Sequence, residues 1–563
     1  MANKIFGNSH QQVPGMVTYD IESAISDAGS NRSHFVIINQ QTLTNNLTPG
    51  SNITIEVLGD GLIDGAYTLD LNSCNFIAYT KCFGSSITVS NMKEPKPKYW
   101  GINAIPGTTD TYSFIQKAIN SVAVGGNILL DGEEYYIATG LSKTGSTAQK
   151  FAIRGKGPST TIISTDQAIT MLTLNGVSGS NKPDIYLEGL QINGSDVAVR
   201  GVDAQYLHYC YWRNCKIMYI NGEGLYANDF EDMIFDNFDI RRCGDYTNTK
   251  PALHFYYSGS GEYINSVWLN NCSIEANKYT GLYLDSVEGI HINSCKFHGR
   301  TSDDDGGTPN PVDLLQISGA DRVEISLCQF AQVRRWAINI LNDTATKAAG
   351  AKIINNSFKN SADYSGTLGD GELGYVLIQR GMPILIGNEF TPADTPDSTY
   401  TDHHVDIKIS SNAWGAIGEN LHFGTNYSKL MNSASGPIPT IWDGDNKWMH
   451  QAVKYIRDVT TDDILQFYLD GESYPRFLIE ASGSLKWGNG SGAQDVVLSR
   501  ANTNILAMDS GDIFRSERFR LVELTSAPAS VTDGDIVYAD GTSWNPGSGE
   551  GFYGRENGAW VKL

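Results

Sequence analysis

One short phrase is rewritten at intervals along the middle of this chain. Residues 212–217 read WRNCKI, 269–274 LNNCSI, 292–297 INSCKF, 325–330 ISLCQF and 353–358 IINNSF. Weaker copies are FDNFDI at 235–240, LIGNEF at 385–390 and GENLHF at 418–423. Each copy opens on an apolar residue, passes through small polar residues to Cys or a substitute, and closes on an apolar residue. The closing residues Ile192, Ile217, Ile240, Ile274, Phe297, Phe330, Phe358, Phe390 and Phe423 lie 25, 23, 34, 23, 33, 28, 32 and 33 residues apart. A unit of about 23 residues with inserts of up to about 11 cannot bury an apolar face alone and has to stack on copies of itself, as in a solenoid.

The pieces between copies decide which solenoid. GLYLDS (281–286) and EGIHINSCKF (288–297) alternate apolar and polar residues over strand lengths, and no piece carries a 3.6-residue period. Three short strands per turn predict an all-β, right-handed parallel β-helix, its turns about 4.8 Å apart and its equivalent residues in columns. Cys215, Cys272, Cys295 and Cys328 then share one column. Their spacing follows the turn length and not a zinc motif, so they read as stacked core thiols. Nothing like a secretory signal opens the chain, which fits thiols kept reduced during synthesis. Asn214 and Asn271, each just before Cys, suit a left-handed corner.

The 563 residues include 58 Gly and carry a net charge of −21. This acidity argues against nucleic acid or an anionic membrane as partner, and no apolar run is long enough for a transmembrane helix. No P-loop, dinucleotide fingerprint, G-x-S-x-G or H-E-x-x-H motif is present, and neither cofactor nor metal is expected.

Before the repeats, Tyr112, Ile115, Ala118, Ile119 and Val122 recur at helical spacing behind Asp110 or Thr111 as N-cap. This is the one strong helix signal, and such a helix would cap the open first turn. Trp100-Gly101, Gly107 to Thr111, Phe114 to Ile119 and Gly125 to Tyr135 together resemble the opening segment of pectate-lyase-like β-helix proteins, although Thr109 stands where a second Asp is usual. Residues 1–97 read as a β-rich head or extra coils, 98–430 as the β-helix, 431–463 as a linker around Gly436-Pro437-Ile438-Pro439, and 464–563 as a β-rich module. In that module Trp487, Gly488, Gly490, Asp495, Leu498 and Arg500 resemble C-terminal modules of bacteriophage tail spikes, which are usually trimerisation or tip domains. The resemblance implies a homotrimeric virion-tail protein, attached to the phage tail or baseplate through its N-terminal region. The implied partner is a bacterial capsular polysaccharide, exopolysaccharide or lipopolysaccharide.

Aligning the turns on the Cys column puts Asp203, Tyr226, His254, Tyr283, Gln316 and Asn339 in one outward column and Gln205, Asn228, Tyr256, Asp285 and Ser318 in the next. Aromatic faces interleaved with amides and acids suit a sugar chain, though an ordinary solvated face shares that composition. All the large inserts (241–250, 298–311, 359–372 and 391–404) fall beside this strip and would wall a groove. Asp303, Asp304 and Asp305 in one of them form a solvated loop or a calcium site. For glycoside hydrolysis, which needs two carboxylates, the candidates are Glu275, Asp285 and Asp313. Tyr226, His254, Tyr256, Tyr283, His298, Arg300, Gln316, Arg334 and Arg335 are candidate substrate-binding residues, the cations suiting an acidic sugar. A polysaccharide lyase using Tyr283 or His254 as base, and a non-catalytic receptor-binding spike, remain alternatives.

Overall fold

Strand alternation decides which side chains face inward, and parallel register decides what each one meets. In the computed structural model one turn consists of Leu282–Asp285, Glu288–Asn293 and Lys296–His298. The first strand joins a twelve-stranded sheet, here the lateral sheet; the other two join a twenty-one-stranded sheet that bends at each turn, here the cornered sheet. Registered pairings in both are parallel. The structure describes residues 3–6, 20–72, 74–101, 108–144, 150–177, 183–258, 265–299, 312–341, 351–361, 373–381, 383–391, 404–413, 416–417, 421–422, 429–432, 440–441, 454–456, 463–467, 477–480, 484–488, 496–502, 505–508, 523–528 and 531–563.

The closing residues of the repeated phrase stand opposite one another from Ile192 to Phe390. Phe297, Phe330, Phe358 and Phe390 stack nearly face to face, with centroids 4.8–4.9 Å apart. The last turn departs from the sequence reading by one residue. Ile417 pairs with Leu385, and His422 rather than Phe423 pairs with Phe390. Phe423 itself lies outside the described residues.

All eight cysteines are free and buried. In their column the Cys272 N–H donates to Cys295 Sγ and the Cys295 N–H to Cys328 Sγ, each at 3.4 Å. Each of these sulfurs also lies within 3.4 Å of the carbonyl two residues before it, Asn270, Asn293 and Ser326, the contact of a neutral thiol donor. The column continues in asparagine. Asn356 Oδ1 accepts from Cys328 N at 2.9 Å and Asn388 Oδ1 from Asn356 N at 3.0 Å. Just before this column the chain turns through left-handed backbone at Asn214, Asn237, Asn271, Ser294, Leu327, Asn355 and Gly387. At Gly387 a Cβ would meet Asn355 Oδ1 at 2.2 Å, so the corner needs glycine there.

Parallel coils also form before the repeats. Ser33–Ile37, Ile53–Val57 and Asn75–Ala78 stack on one side, Gln40–Thr42 on Leu62–Asp64 on a second, and Thr68–Asp70 on Thr88–Ser90 on a third. They run into the main stack through Asn127 N to Lys93 O (2.7 Å) and Leu129 N to Pro95 O (3.0 Å), over one continuous apolar core. The expected helix is the second in the chain: a shorter helix at Ile21–Ala28, unanticipated in the sequence, precedes it and buries Ile21, Ala24 and Ala28. The expected one spans Tyr112–Ser121 and buries Ile115, Ala118 and Ile119 against Thr88–Ser90 on one side and Leu141–Thr144 on the other. Asp110 accepts its Tyr112 N–H at 3.0 Å.

Strands Lys429–Asn432, Thr440–Ile441 and Lys454–Ile456 still pair in parallel, on either side of the Gly-Pro-Ile-Pro run that reads as a linker. The chain divides into units 1–458 and 459–563. The second holds a five-stranded antiparallel sheet, with Phe477 against Trp487 at 5.2 Å, and a four-stranded sheet made of 523–524, 536–539, 551–556 and 559–562. Among the described residues no helix is long and apolar enough to cross a membrane.

Leu327 is the misfit of the corner column: left-handed at φ 56°, and 61% exposed. A left-handed conformation costs a branched residue about 1 kcal/mol or more, and asparagine much less. Leu327→Asn should therefore raise stability by about 1 kcal/mol in denaturant melts.

Candidate functional site

The outward strip is in the register that alternation requires. Asp203, Tyr226, His254, Tyr283, Gln316 and Asn339 are successive partners across the lateral sheet. Gln205, Asn228, Tyr256, Asp285 and Ser318 form the adjacent column. Tyr226 meets His254 edge-on at 5.3 Å, and His254 stacks on Tyr283 at 5.0 Å with planes 20° apart. Tyr256 flanks His254 at 5.9 Å.

Charges gather at the end of the strip near Tyr226. The Arg200 guanidinium lies 4.4 Å from the Tyr226 ring centroid; it binds Asp203 at 2.6 Å and reaches Glu223 at 3.4 Å. Lys250, from the 241–250 insert, reaches the same buried Glu223 at 3.2 Å. Burial lowers the His254 pKa to about 4, so the ring is neutral. Sequence reasoning overlooked Arg200, Glu223 and Lys250. Register alone would have found Glu223, which precedes the inward Leu225 by two residues just as Asp313 precedes Leu315.

Asp313 sits at that flank, 1% exposed. Its Oδ2 accepts from Gln316 Nε2 at 2.8 Å and Asn339 Nδ2 at 2.7 Å; Gln379 fixes the Asn339 amide by donating to its Oδ1 at 3.0 Å. Arg335 Nε lies 3.8 Å from Asp313 Oδ1. Burial raises the Asp313 carboxyl above the usual carboxylate range, against the pull of Arg335 and the two amides. Tyr279 is raised in turn, chiefly by burial, and Tyr246 from the insert packs on it at 6.0 Å.

Four buried polar atoms at this strip have no hydrogen-bond partner within the protein: Arg200 Nε, Asn228 Oδ1, His254 Nε2 and Asp313 Oδ1. Unpaired buried groups are costly to maintain, and a bound ligand that offers donors and acceptors would satisfy them.

The three candidate carboxylates do not converge. Glu275 is on the cornered sheet, between Arg241 and His298 in register. It is held by Arg241 (2.5 Å), Lys296 (2.7 Å) and the Ser273 hydroxyl (2.7 Å). Burial alone would raise its carboxyl, but Lys296, Ser273 and Arg241 hold it down at about 2, so it is a poor proton donor near neutrality. Asp285 lies opposite Ser318, which is five residues of strand from Asp313, roughly 16 Å if extended and beyond the reach of a hydrolytic pair. His298 is half-buried, its Nδ1 2.9 Å from Gly299 O. Arg334 is 1% exposed, whereas Arg335 keeps a partly exposed side chain. Arg300 and Asp303–Asp305 lie outside the described residues. Among the described residues no group of three His, Cys, Asp or Glu is placed to hold a metal.

Residues 188–390 match the family model described as right handed beta helix region. The fold is a right-handed parallel β-helix. No curated protein matches the chain in sequence. Among solved structures, ORF18 of Geobacillus virus E2 is 15% identical, over 84% of this chain and 86% of that one, with a TM-score of 0.44. The gp42 tailspike of Acinetobacter phage vb_AbaP_AS12 is 12% identical, over 83% and 75%, with a TM-score of 0.49. DFA-IIIase from Arthrobacter chlorophenolicus A6, without its lid and in complex with GF2, is 10% identical, over 66% and 99%, with a TM-score of 0.45.

The neutral His254 has a thermodynamic signature. Its folded pKa of about 4 is below the unfolded 6.5, so the unfolded chain takes up the proton first as pH falls. Stability should be lost between about pH 6.5 and pH 4, by up to about 3 kcal/mol. Chemical unfolding of His254→Gln across that window should give a flatter profile than the parent.

Proposed function

We propose that this chain is a bacteriophage tail spike that binds a bacterial capsular polysaccharide, exopolysaccharide or lipopolysaccharide along the lateral strip and hydrolyses it there. The observation that carries the reading is the coincidence, on one rigid face, of an aromatic run, four unpartnered buried polar atoms and a buried carboxyl with a raised pKa. Aromatic faces stack on the apolar faces of sugar rings, and the unpartnered atoms take hydroxyls. Arg335, with its partly exposed side chain, favours acidic substituents on the polymer.

Asp313 is the general acid. Two amides occupy its Oδ2, so the proton of the neutral acid resides on Oδ1, the oxygen without a hydrogen-bond partner. Transfer of that proton to the glycosidic oxygen leaves a carboxylate that Arg335 stabilises. Asp285 lies too far along the strand to be the second carboxylate that hydrolysis requires, and Glu275, on the other sheet, is held by Arg241 and Lys296; the remaining candidates are Asp303, Asp304 and Asp305 of the 298–311 insert. Asp313→Asn keeps an acceptor for Gln316 and Asn339 but removes the proton donor. Turnover of a polysaccharide that the parent degrades should fall about a hundredfold or more, with binding retained. Thermal stability at neutral pH should hold or rise, because a buried ionisable group is lost. Glu275→Gln, the control, should keep its turnover. Products of the parent should gain the mass of water; an unsaturated, ultraviolet-absorbing product would mean a lyase, and full activity in Asp313→Asn would place the acid elsewhere.

The assembly is proposed as a homotrimer joined through 464–563 and attached to the phage tail by the N-terminal region. Ile536, Phe552, Val561 and Leu563 expose apolar surface in the terminal four-stranded sheet, which association would bury. Light scattering should give three times the 61.5 kDa chain mass, and a smaller mass once 464–563 is deleted.

A further inference from the structure

A second surface has the composition of a sugar site without belonging to the lateral strip. On the first arm of the cornered sheet the outward column reads Tyr186, Tyr211, Ile234, Trp268 and His291. The next column reads Glu188, Arg213, Asp236, Asn270 and Asn293. Where this arm bends into the second, a depression of about 320 Å³ is lined by Tyr211, Ile234, Asp236, Asn270, Asn293 and Ser294, among others. None of these residues takes part in the strip, and the large inserts emerge on the far side of the second arm.

We infer that this corner depression is a second carbohydrate site, one that holds an uncharged sugar residue of the polymer without cleaving it. The inference rests on the reading of the chain as a polysaccharide-binding protein. Its volume is at the small end for ligand sites, which suits one or two sugar units. Ile234, 36% exposed, offers an apolar patch for the C–H face of a sugar, and Tyr211 a ring beside it. Asn270 and Asn293, partners on adjacent turns about 4.8 Å apart, and Ser294 beside Asn293 supply donors and acceptors, with Ser294 Oγ donating to Asn293 Oδ1 at 2.8 Å. The Tyr211 hydroxyl donates to Asp236 Oδ2 at 3.2 Å, which orients that carboxylate as an acceptor for sugar hydroxyls. Charge separates the two sites. The corner lining holds a carboxylate and no cation; the nearby Arg213 is bound to Glu188, its Nε donating at 2.8 Å. An acidic sugar is therefore disfavoured at the corner, whereas the strip offers it the partly exposed Arg335, so the two sites select different residues of one repeating unit.

The test is saturation-transfer NMR on the full chain with three probes: methyl α-D-glucopyranoside, methyl α-D-galactopyranoside and D-glucuronate. At least one neutral glycoside should bind. Its affinity should fall about fivefold, the scale of one lost hydrogen bond, in Asn293→Ala and in the milder Ser294→Ala, and should be unchanged in Tyr283→Ala. Glucuronate should depend on Tyr283 and Arg335 and be indifferent to Asn293. The inference is overturned by the absence of any neutral-glycoside signal, by a signal indifferent to both corner variants, or by one that Tyr283→Ala abolishes. Polymer turnover by Asp313→Asn is measured separately, so failure of the hydrolytic reading leaves this result standing or falling by itself.

Discussion

The structure depends on parallel backbone pairing between turns about 4.8 Å apart. That pairing fixes the register, and register forces each side chain to lie against its equivalents one turn away. A residue type that packs well against itself is therefore favoured in every column. Flat rings satisfy this by stacking, as Phe297 to Phe390 do, and small thiols and amides satisfy it by accepting the backbone N–H of a neighbouring turn. Identity between turns is thus a packing requirement of the core rather than a trace of function.

The outward columns answer to a different demand. Nothing within the fold requires Tyr226, His254 and Tyr283 to align, nor Arg200 Nε, Asn228 Oδ1, His254 Nε2 and Asp313 Oδ1 to lack hydrogen-bond partners. A face that carries such costs on strands held rigid from beneath is preorganised for a ligand, because few of its groups have to reorder on binding.

How much was legible follows from this division. Column membership was readable wherever alternation was regular, which is why the strip from Asp203 to Asn339 and the Cys column emerged from spacing alone. Reading stopped where register depends on loop length, as at Ile417 and His422. It also stopped where chemistry depends on neighbours that adjacent turns bring together. Glu275 looks like a free acid in the chain, and only the fold brings Lys296 and Arg241 to it. Asp313 looks like any loop-edge aspartate until Gln316 and Asn339 enclose it. The short helix at Ile21–Ala28 went unnoticed because two turns of helix leave too little periodicity to see.

The side-chain contacts of the corner column all run one way along the chain. Cys272 relies on Cys295, Cys295 on Cys328, Cys328 on Asn356, and Asn356 on Asn388. Cys243 likewise relies on Asn277. Each corner borrows its acceptor from a residue the ribosome has yet to make. A growing chain therefore carries one unfinished corner at its leading end, which closes when the following turn arrives. In a chain that folds as it is made, each new turn completes the corner of its predecessor and leaves its own edge open for the next.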